Sequence, residues 1–476
     1  MATVYCGRIM SRWELSESEE LIVQQFNSAP EKNYWYDVRY QSGYWDGTAK
    51  FFNQKTKILP AGLVPETIQA LQAAGHHVAL VTHPLRRFPL RENAELNYSL
   101  DPDHQLRILE SMCETERGIV SAATNAGKTK IAQAWCALFA LKIIYLVPSK
   151  ELLTQTVASF QRDTNLQIGW ISADEGWNTG GDVTVCLVSS VAPRRRRGKR
   201  RMINQVSVDR FLALAGTFDA VIADECHHAV SASWSWILKE LKNARFRFGL
   251  SGSPWNEGDR AAELRVKSYL GPTIATVLNK ELVERGWSAR PKIRMIELFA
   301  KAESEELEFL EVYEEFIVNN PHRNGLIALA ASRLAQAQKS CLIVTTRIDH
   351  TELLSTMLSL NQIDHRVVTG ELGKKDRKKY LEDFKESKFQ VLISTVLGEG
   401  VDIPHLNALI IAAAGKSQKQ LLQRVGRGIR KKHSGPNEVE IYDFFDKSHP
   451  ILRRQSKDRL EIYRDQGFEV EICSTL

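Results

Sequence analysis

Between about residues 100 and 290, short apolar runs alternate with longer stretches whose apolar positions recur at helical spacing. The short runs fall at 118–123, 142–148, 183–190, 220–225 and 246–253. They are apolar on both faces and separated by amphipathic segments, which predicts a parallel sheet covered by helices on each side. The pattern returns at 341–346, 366–370, 391–395, 408–414 and 439–444, so two α/β lobes in tandem are expected. An acidic stretch, 303–320, carries an apolar stripe at helical spacing (Leu307, Leu310, Val312, Tyr313, Phe316 and Ile317) and ends at Pro321.

Residues 1–90 follow a different rule. Aromatic residues crowd one stretch there: Tyr34, Trp35, Tyr36, Tyr40, Tyr44, Trp45, Phe51 and Phe52. Asp46-Gly47 between two strand-like runs predicts a tight hairpin, followed by a helix over 65–74 and a strand over 77–81. The aromatic cluster is read as the core of a small α+β domain, with base stacking or a wedge at a fork as the alternative. Pro84, Pro89 and Pro102 mark a linker. The expected organisation is a small N-terminal domain at 1–90, a first lobe at 91–290 and a second at 291–476.

The 476 residues are 43% apolar and 25% charged, which excludes an intrinsically disordered chain. A net charge of +6 permits a nucleic-acid partner without requiring one. Seven scattered cysteines with no C-x-x-C pair exclude a disulfide framework and a structural zinc site. No apolar run reaches the roughly 18 residues of a membrane span, and the first residues lack a secretory pattern. No membrane role is expected, and the cytoplasm is the expected compartment (a host's, if the chain is phage-encoded).

Chemistry enters at the ends of the predicted strands. Ala122, Ala123, Thr124, Asn125, Ala126, Gly127, Lys128 and Thr129 span the end of strand 118–123 and the turn after it, and Gly127-Lys128-Thr129 open a helix. This is the setting in which backbone N–H groups and a helix N-terminus face phosphates, Lys128 reaches the β- and γ-phosphates and Thr129 holds Mg²⁺. Ala122 stands where the G-x-x-x-x-G-K-[ST] pattern has its first glycine. Asp224 and Glu225 end a buried strand: the first suits Mg²⁺, the second an attacking water. Adjacent His227 and His228 with no third ligand point to hydrogen bonding rather than zinc. Arg427 and Arg430 are three apart, so on a helix they share a face, with Gln423 one turn back; guanidinium forks there would stabilise charge on a γ-phosphate.

In order, AATNAGKT, DECHH, SGSP, STVLGEGVD and QRVGRGIR resemble motifs I, II, III, V and VI of the superfamily 2 helicases. Val147-Pro-Ser-Lys-Glu-Leu152 is similar to motif Ia, and Gln105 resembles the adenine-reading glutamine of the Q motif. The finer resemblance is to phage UvsW-type branch-migration helicases, more loosely to RecG and excision-repair helicases. It rests on DECHH followed by Gly249-Leu-Ser-Gly-Ser253, and on Trp45-Asp-Gly-Thr-Ala-Lys-Phe-Phe-Asn53 with Gly62-Leu63, which resembles the N-terminal DNA-binding domain of that group and implies that residues 1–90 bind DNA. The resemblance implies two RecA-like P-loop domains with ATP in the cleft between them, coupling through Ser251 and Ser253, and a ribose near Gly400 and Asp402.

It also implies phosphate contacts to a nucleic-acid strand at Ser149 and Lys150, Ser189 and Ser190, Thr346 and Arg347, and Thr395. The basic run that begins Arg194, Arg195, Arg196, Arg197 and extends to 201 is either an additional DNA-gripping loop or a solvated insertion. Lys374, Lys375, Arg377, Lys378 and Lys379 are read as a solvated helix face whose buried side is Tyr380, Leu381 and Phe384. The expected function is an ATP-dependent DNA helicase or translocase on branched duplexes, using ATP and Mg²⁺. It is expected to act as a monomer on DNA, with replication or recombination proteins as further partners. An RNA helicase, an ATP-gated clamp that does not unwind, and a translocating subunit of a restriction complex are the alternatives.

Overall fold

The computed structural model describes residues 1–82, 89–193, 205–256, 258–299, 308–395, 406–413 and 437–475. Contacts divide the chain into two units, Met1–Ala122 with Gly127–Val277, and Ala123–Ala126 with Leu278–Leu476.

The first unit begins with a four-stranded sheet in the order β5-β2-β1-β6. Its strands are β1 (Ala2–Cys6), β2 (Met10–Glu14), β5 (Ile58–Pro60) and β6 (Val78–Thr82), while β3 (Ser28–Pro30) and β4 (Thr48–Lys50) form a separate antiparallel pair. Alternation sets the buried face: Val4 and Trp13 point inward beside Phe52, Leu59 and Leu71. Ala261 and Leu264 of helix Arg260–Leu270 close the same core, so the small sheet packs directly on the larger part of this unit. The join is tight. A Cβ on Gly62 would lie 2.0 Å from the Lys267 carbonyl oxygen, and Lys267 Nζ pairs with Glu66 at 2.7 Å.

That larger part is an eight-stranded sheet in the order β10-β9-β11-β8-β12-β13-β7-β14. The strands are β7 (Arg117–Ala122), β8 (Ile143–Val147), β9 (Ile168–Ser172), β10 (Gly176–Asn178), β11 (Val183–Leu187), β12 (Ala220–Asp224), β13 (Phe246–Ser251) and β14 (Thr273–Val277). All neighbours pair in parallel except β10 with β9. Every residue of β8, β11 and β12 is buried, as strands covered on both faces require.

The second unit is a seven-stranded, all-parallel sheet in the order β17-β18-β16-β19-β20-β15-β21. Its strands are β15 (Arg290–Leu298), β16 (Cys341–Val344), β17 (His365–Val368), β18 (Val391–Ser394), β19 (Ala408–Ile411), β20 (Glu438–Asp446) and β21 (Glu469–Cys473). Its two faces bury separate clusters, one around Met295, Leu409 and Tyr463, the other around Ile343, Ile410 and Phe444.

Several expectations change. No tight hairpin forms at Asp46-Gly47: β3 and β4 are joined by a long loop, in which Asp46 Oδ1 accepts the Thr48 N–H and Gly47 takes φ 78°. The aromatic cluster is not one core. Phe52 is buried and Phe51 packs on it, but Trp35, Tyr36, Tyr40 and Tyr44 are exposed. Residues 188–191 leave the sheet as a short helix, Val188–Val191. In the acidic stretch, Leu307 lies outside the described residues; the helix runs Phe309–Tyr313 into a π-turn, and Leu310 faces out. Where a free linker was expected, residues 89–98 lie along the first unit, Arg91 meeting Asp182 at 3.0 Å and Asn97 Nδ2 donating to the Arg162 carbonyl at 2.6 Å. Arg377 belongs only partly to a solvated face, because its guanidinium donates to the Thr369, Gly370 and Leu372 carbonyls. No helix among the described residues is long and apolar enough to cross a membrane.

Candidate functional site

β7 delivers the chain into the loop 123–127, and helix Lys128–Leu138 starts directly after it. Asn125 (φ 75°) and Gly127 (φ 80°) are left-handed, the kind of curl from which anion nests are built, and the Ala126 N–H donates to the Ala123 carbonyl at 3.2 Å. The helix N-terminus adds its dipole. A Cβ on Gly127 would lie 2.2 Å from Gln105 Nε2, so glycine is required by conformation and by packing. Gln105 is itself buried, its Oε1 accepting the Asp101 N–H at 2.9 Å. Lys128 Nζ donates to the Ala122 carbonyl at 2.7 Å, which holds the ammonium at the mouth of the loop beside half-buried Thr129. Ala122 is still in β7, paired with Val277 and fully buried. The pattern's first glycine position is therefore strand interior here, where a methyl group packs. Ala123 and Ala126 are buried, Thr124 and Asn125 half-buried.

β12 ends in buried Asp224, and Glu225 then takes φ 49°, an uncommon conformation for a non-glycine residue that turns the chain sharply out of the sheet. The Glu225 N–H donates to Asp224 Oδ1 at 3.0 Å. Burial first, then the Glu225 charge, push the Asp224 carboxyl up to about 6, while Lys128 and the adjacent Tyr145 hydroxyl oppose the rise. A buried carboxylate held that high is relieved by a cation, so Asp224 fits a hard, oxygen-seeking Mg²⁺, to which a threonine hydroxyl such as that of Thr129 is chemically suited.

His227 Nδ1 lies 3.2 Å from Ser251 Oγ and 3.5 Å from a Glu225 oxygen. Ser251 Oγ also accepts the Ser253 N–H at 3.2 Å. A polar chain thus runs from Glu225 through His227 and Ser251 to Ser253. The His227 and His228 rings lie 4.3 Å apart, and His228 stacks on Trp234. No group of metal-ligating side chains includes them among the described residues.

The expected strand-contact residues are more dispersed. Ser149 caps helix Lys150–Asp163 by accepting the Leu152 N–H, and Lys150 pairs with Asp174 and Glu175, both at 3.2 Å. Ser189 is half-buried; Ser190 is buried and accepts the Ala173 N–H at 2.9 Å. In the second unit Thr346 Oγ1 lies 2.5 Å from the Tyr313 hydroxyl, and the Arg347 guanidinium sits over the Tyr313 ring. The Thr395 N–H donates to the Val368 carbonyl. Arg194, Arg195, Arg196, Arg197, Gly400, Asp402, Gln423, Arg427 and Arg430 lie outside the described residues. Two residues escaped the sequence reading. Tyr145 had no signal beyond one hydroxyl in an otherwise aliphatic strand, and Tyr313 had counted only as part of an apolar stripe.

Fold and site define a protein of two tandem RecA-like domains, the first carrying a P-loop. The family described as Type III restriction enzyme, res subunit matches residues 99–256, and the Helicase conserved C-terminal domain matches residues 324–432. The ATP-dependent DNA helicase uvsW of Enterobacteria phage T4 is 24% identical over 96% of this chain and 96% of its own length. A protein named as helicase 22 of the Sulfolobus islandicus filamentous virus (isolate Iceland/Hveragerdi) is 28% identical over 73% of this chain, which spans 64% of that relative's length. A fragment of an HsdR subunit of a type I restriction enzyme from Vibrio vulnificus YJ016 shares the fold, with TM-score 0.55 and 18% identity over 77% of this chain and 66% of that one. The chain belongs to the superfamily 2 helicases, among their UvsW-like members.

Proposed function

We propose that this chain hydrolyses ATP to drive movement along DNA, and that its substrate is branched duplex DNA undergoing unwinding or branch migration. One observation carries the reading: Lys128, Asp224 and Glu225 share one electrostatic cluster at the C-terminal ends of β7 and β12. The likeness to a phage T4 protein named as an ATP-dependent DNA helicase, across nearly the whole of both chains, supports DNA as the substrate.

In this reading Gln105 selects adenine, and the N–H groups of 123–127 with Lys128 bind the phosphates. Thr129 and Asp224 hold Mg²⁺, which when bound draws charge from the phosphate oxygens. Glu225, aimed by its left-handed backbone, orients the attacking water and takes its proton. Gly400 and Asp402 are assigned to the ribose, and Gln423, Arg427 and Arg430 to the charge that develops on the γ-phosphate. His227, Ser251 and Ser253 pass the state of Glu225 onward. Ser149, Lys150, Ser189, Ser190, Thr346, Arg347 and Thr395 are assigned to the strand, the partly or fully buried ones through backbone groups.

The test is the ATPase rate with single-stranded RNA, linear duplex DNA and four-way DNA junctions, at two salt concentrations. Junction DNA is expected to stimulate most, and Lys128→Ala to reduce the rate by at least about a hundredfold. Stimulation by RNA alone would replace the DNA reading with an RNA helicase. An undiminished rate in the Lys128→Ala protein would remove the site.

A further inference from the structure

In the second unit, residues 345–347 lead from β16 into helix Ile348–Leu360. The backbone of this turn is held from inside. Buried Thr345 has its hydroxyl 2.6 Å from that of Thr351, which donates to the Arg347 carbonyl at 2.9 Å. The Thr351 N–H donates to the same carbonyl at 3.2 Å. The next two side chains turn outward: Thr346 is exposed and Arg347 half-buried, and Arg347 makes no capping bond to the helix it precedes. One residue from 33 positions earlier holds both. The Tyr313 hydroxyl lies 2.5 Å from Thr346 Oγ1, and the Arg347 guanidinium sits over the Tyr313 ring, 5.4 Å from its centroid.

Tyr313 is fixed in turn by its own element. Helix Phe309–Tyr313 widens into a π-turn, Glu314–Val318, closed by the Asn319 N–H donating to the Glu314 carbonyl at 2.9 Å. Such a widened turn shifts the side chains that follow it and recurs at functional sites. Val312, Phe316, Ile317, Val318 and Leu452 bury with Tyr313 as a cluster of their own, and Tyr313 is only 5% exposed. Asn324 Nδ2 ties the end of the turn down through the Val318 carbonyl at 2.7 Å. That cluster needs no more than an apolar ring at this position. The hydroxyl and the ring face beneath Arg347 serve the turn at 345–347 instead.

The choice of an aromatic partner for Arg347 has an electrostatic consequence. Four glutamates, Glu308, Glu311, Glu314 and Glu315, stand on the same stretch as Tyr313. Among the described residues none of them pairs with Arg347. A carboxylate would orient the guanidinium and cancel its charge. A ring orients it by cation–π attraction and leaves the charge and the N–H fork for another anion. A phosphate fits such a fork, and a hydroxyl held beside it supplies a further hydrogen bond.

We propose that Tyr313 is a positioning residue for the nucleic-acid strand, its hydroxyl orienting the Thr346 side chain and its ring the Arg347 guanidinium, so that the two meet a backbone phosphate together. It rests on the assignment of Thr346 and Arg347 to the strand made above, and adds the guanidinium to the backbone contact given to Arg347 there.

The test is a double-mutant cycle on the full chain, read by binding of a labelled oligothymidylate at several salt concentrations. Arg347→Ala is expected to weaken binding and to flatten the log–log salt slope by roughly one. Tyr313→Leu removes both ring and hydroxyl, so it should weaken binding about fivefold and flatten the slope almost as much. Together the two changes should cost less than the product of their separate factors, because they disable one contact. Tyr313→Phe keeps the ring; its slope should match the parent's while affinity falls about threefold. In the ATPase assay the oligonucleotide concentration for half-maximal rate should rise by the same factors, with the saturated rate and the KM for ATP within about twofold of the parent. A tyrosine that only fills its cluster would leave the slope unaltered and give factors that multiply, and that result overturns the proposal. Should Tyr313→Leu fail to fold, the cycle of Tyr313→Phe with Thr346→Val decides in the same way, a double variant no weaker than the weaker single variant supporting it and multiplying factors overturning it. If Arg347→Ala and Thr346→Val both bind as the parent does, the strand assignment itself falls and takes this inference with it. If they weaken binding and the Tyr313 variants do not, this inference fails alone.

Discussion

Glu225 shows how one backbone angle assigns a role. Its φ of 49° separates the direction of its side chain from that of Asp224, although the two are adjacent. Glu225→Gln keeps the shape and removes the proposed base, so nucleotide affinity should hold while turnover falls by about 10²–10⁴; a fluorescent-nucleotide titration beside a turnover assay separates the two. His350 makes a stability statement. It is fully buried with Nε2 donating to Asn324 Oδ1 at 2.9 Å, and burial, with the nearby Arg323 charge second, lowers it to about 4. The unfolded chain binds that proton near pH 6.5. The folded chain refuses it until about pH 4. Stability is therefore present above pH 6.5 and lost as pH falls through this window, in total about 3 kcal/mol. Urea midpoints at pH 7 and 4.5 should converge in His350→Gln relative to the parent; equal losses in both would reject the assignment.

At the scale of elements, strands buried on both faces were readable. β8, β11, β12, β16, β18 and β19 are short, largely aliphatic runs, and their positions match the pattern to within a few residues. β9, β10, β14, β15 and β21 were not read. β15 alternates charged and apolar residues, Arg-Pro-Lys-Ile-Arg-Met-Ile-Glu-Leu, and β21 is an edge strand with exposed glutamates. Neither resembles the continuous run expected of a parallel sheet, because a sheet's outer strands receive less helical cover. The ends of β19 and β20 are joined by helix Pro321–Gln336: Arg323 Nη1 binds both Asp446 oxygens at 3.0 Å, and Nη2 binds the Ala412 carbonyl. Arg323→Ala leaves that carboxylate buried and unpaired, so the second unit should lose about 3–5 kcal/mol. Replacing both partners by apolar residues (Arg323→Met with Asp446→Leu) should cost far less; denaturant melts of the two proteins decide.

At the scale of the whole molecule, the N-terminal sheet depends on Ala261 and Leu264 for its core and on Gly62 for its close approach to Lys267. Gly62→Val should force this join apart at a cost of about 1–3 kcal/mol and speed proteolysis of residues 1–82, with the eight-stranded sheet intact. The sequence by itself determined the tandem α/β lobes, the P-loop and the Asp224–Glu225 pair. Each is written in a few consecutive residues at a strand's end, and there the backbone alone brings the groups together. Only the tertiary structure decided that the crowded aromatics divide between core and surface, that Ala122 needs no glycine, and that Tyr313 meets both Thr346 and Arg347. Those outcomes depend on packing between segments far apart in the chain, as Ala122 and Val277 are, and no local period records such contacts.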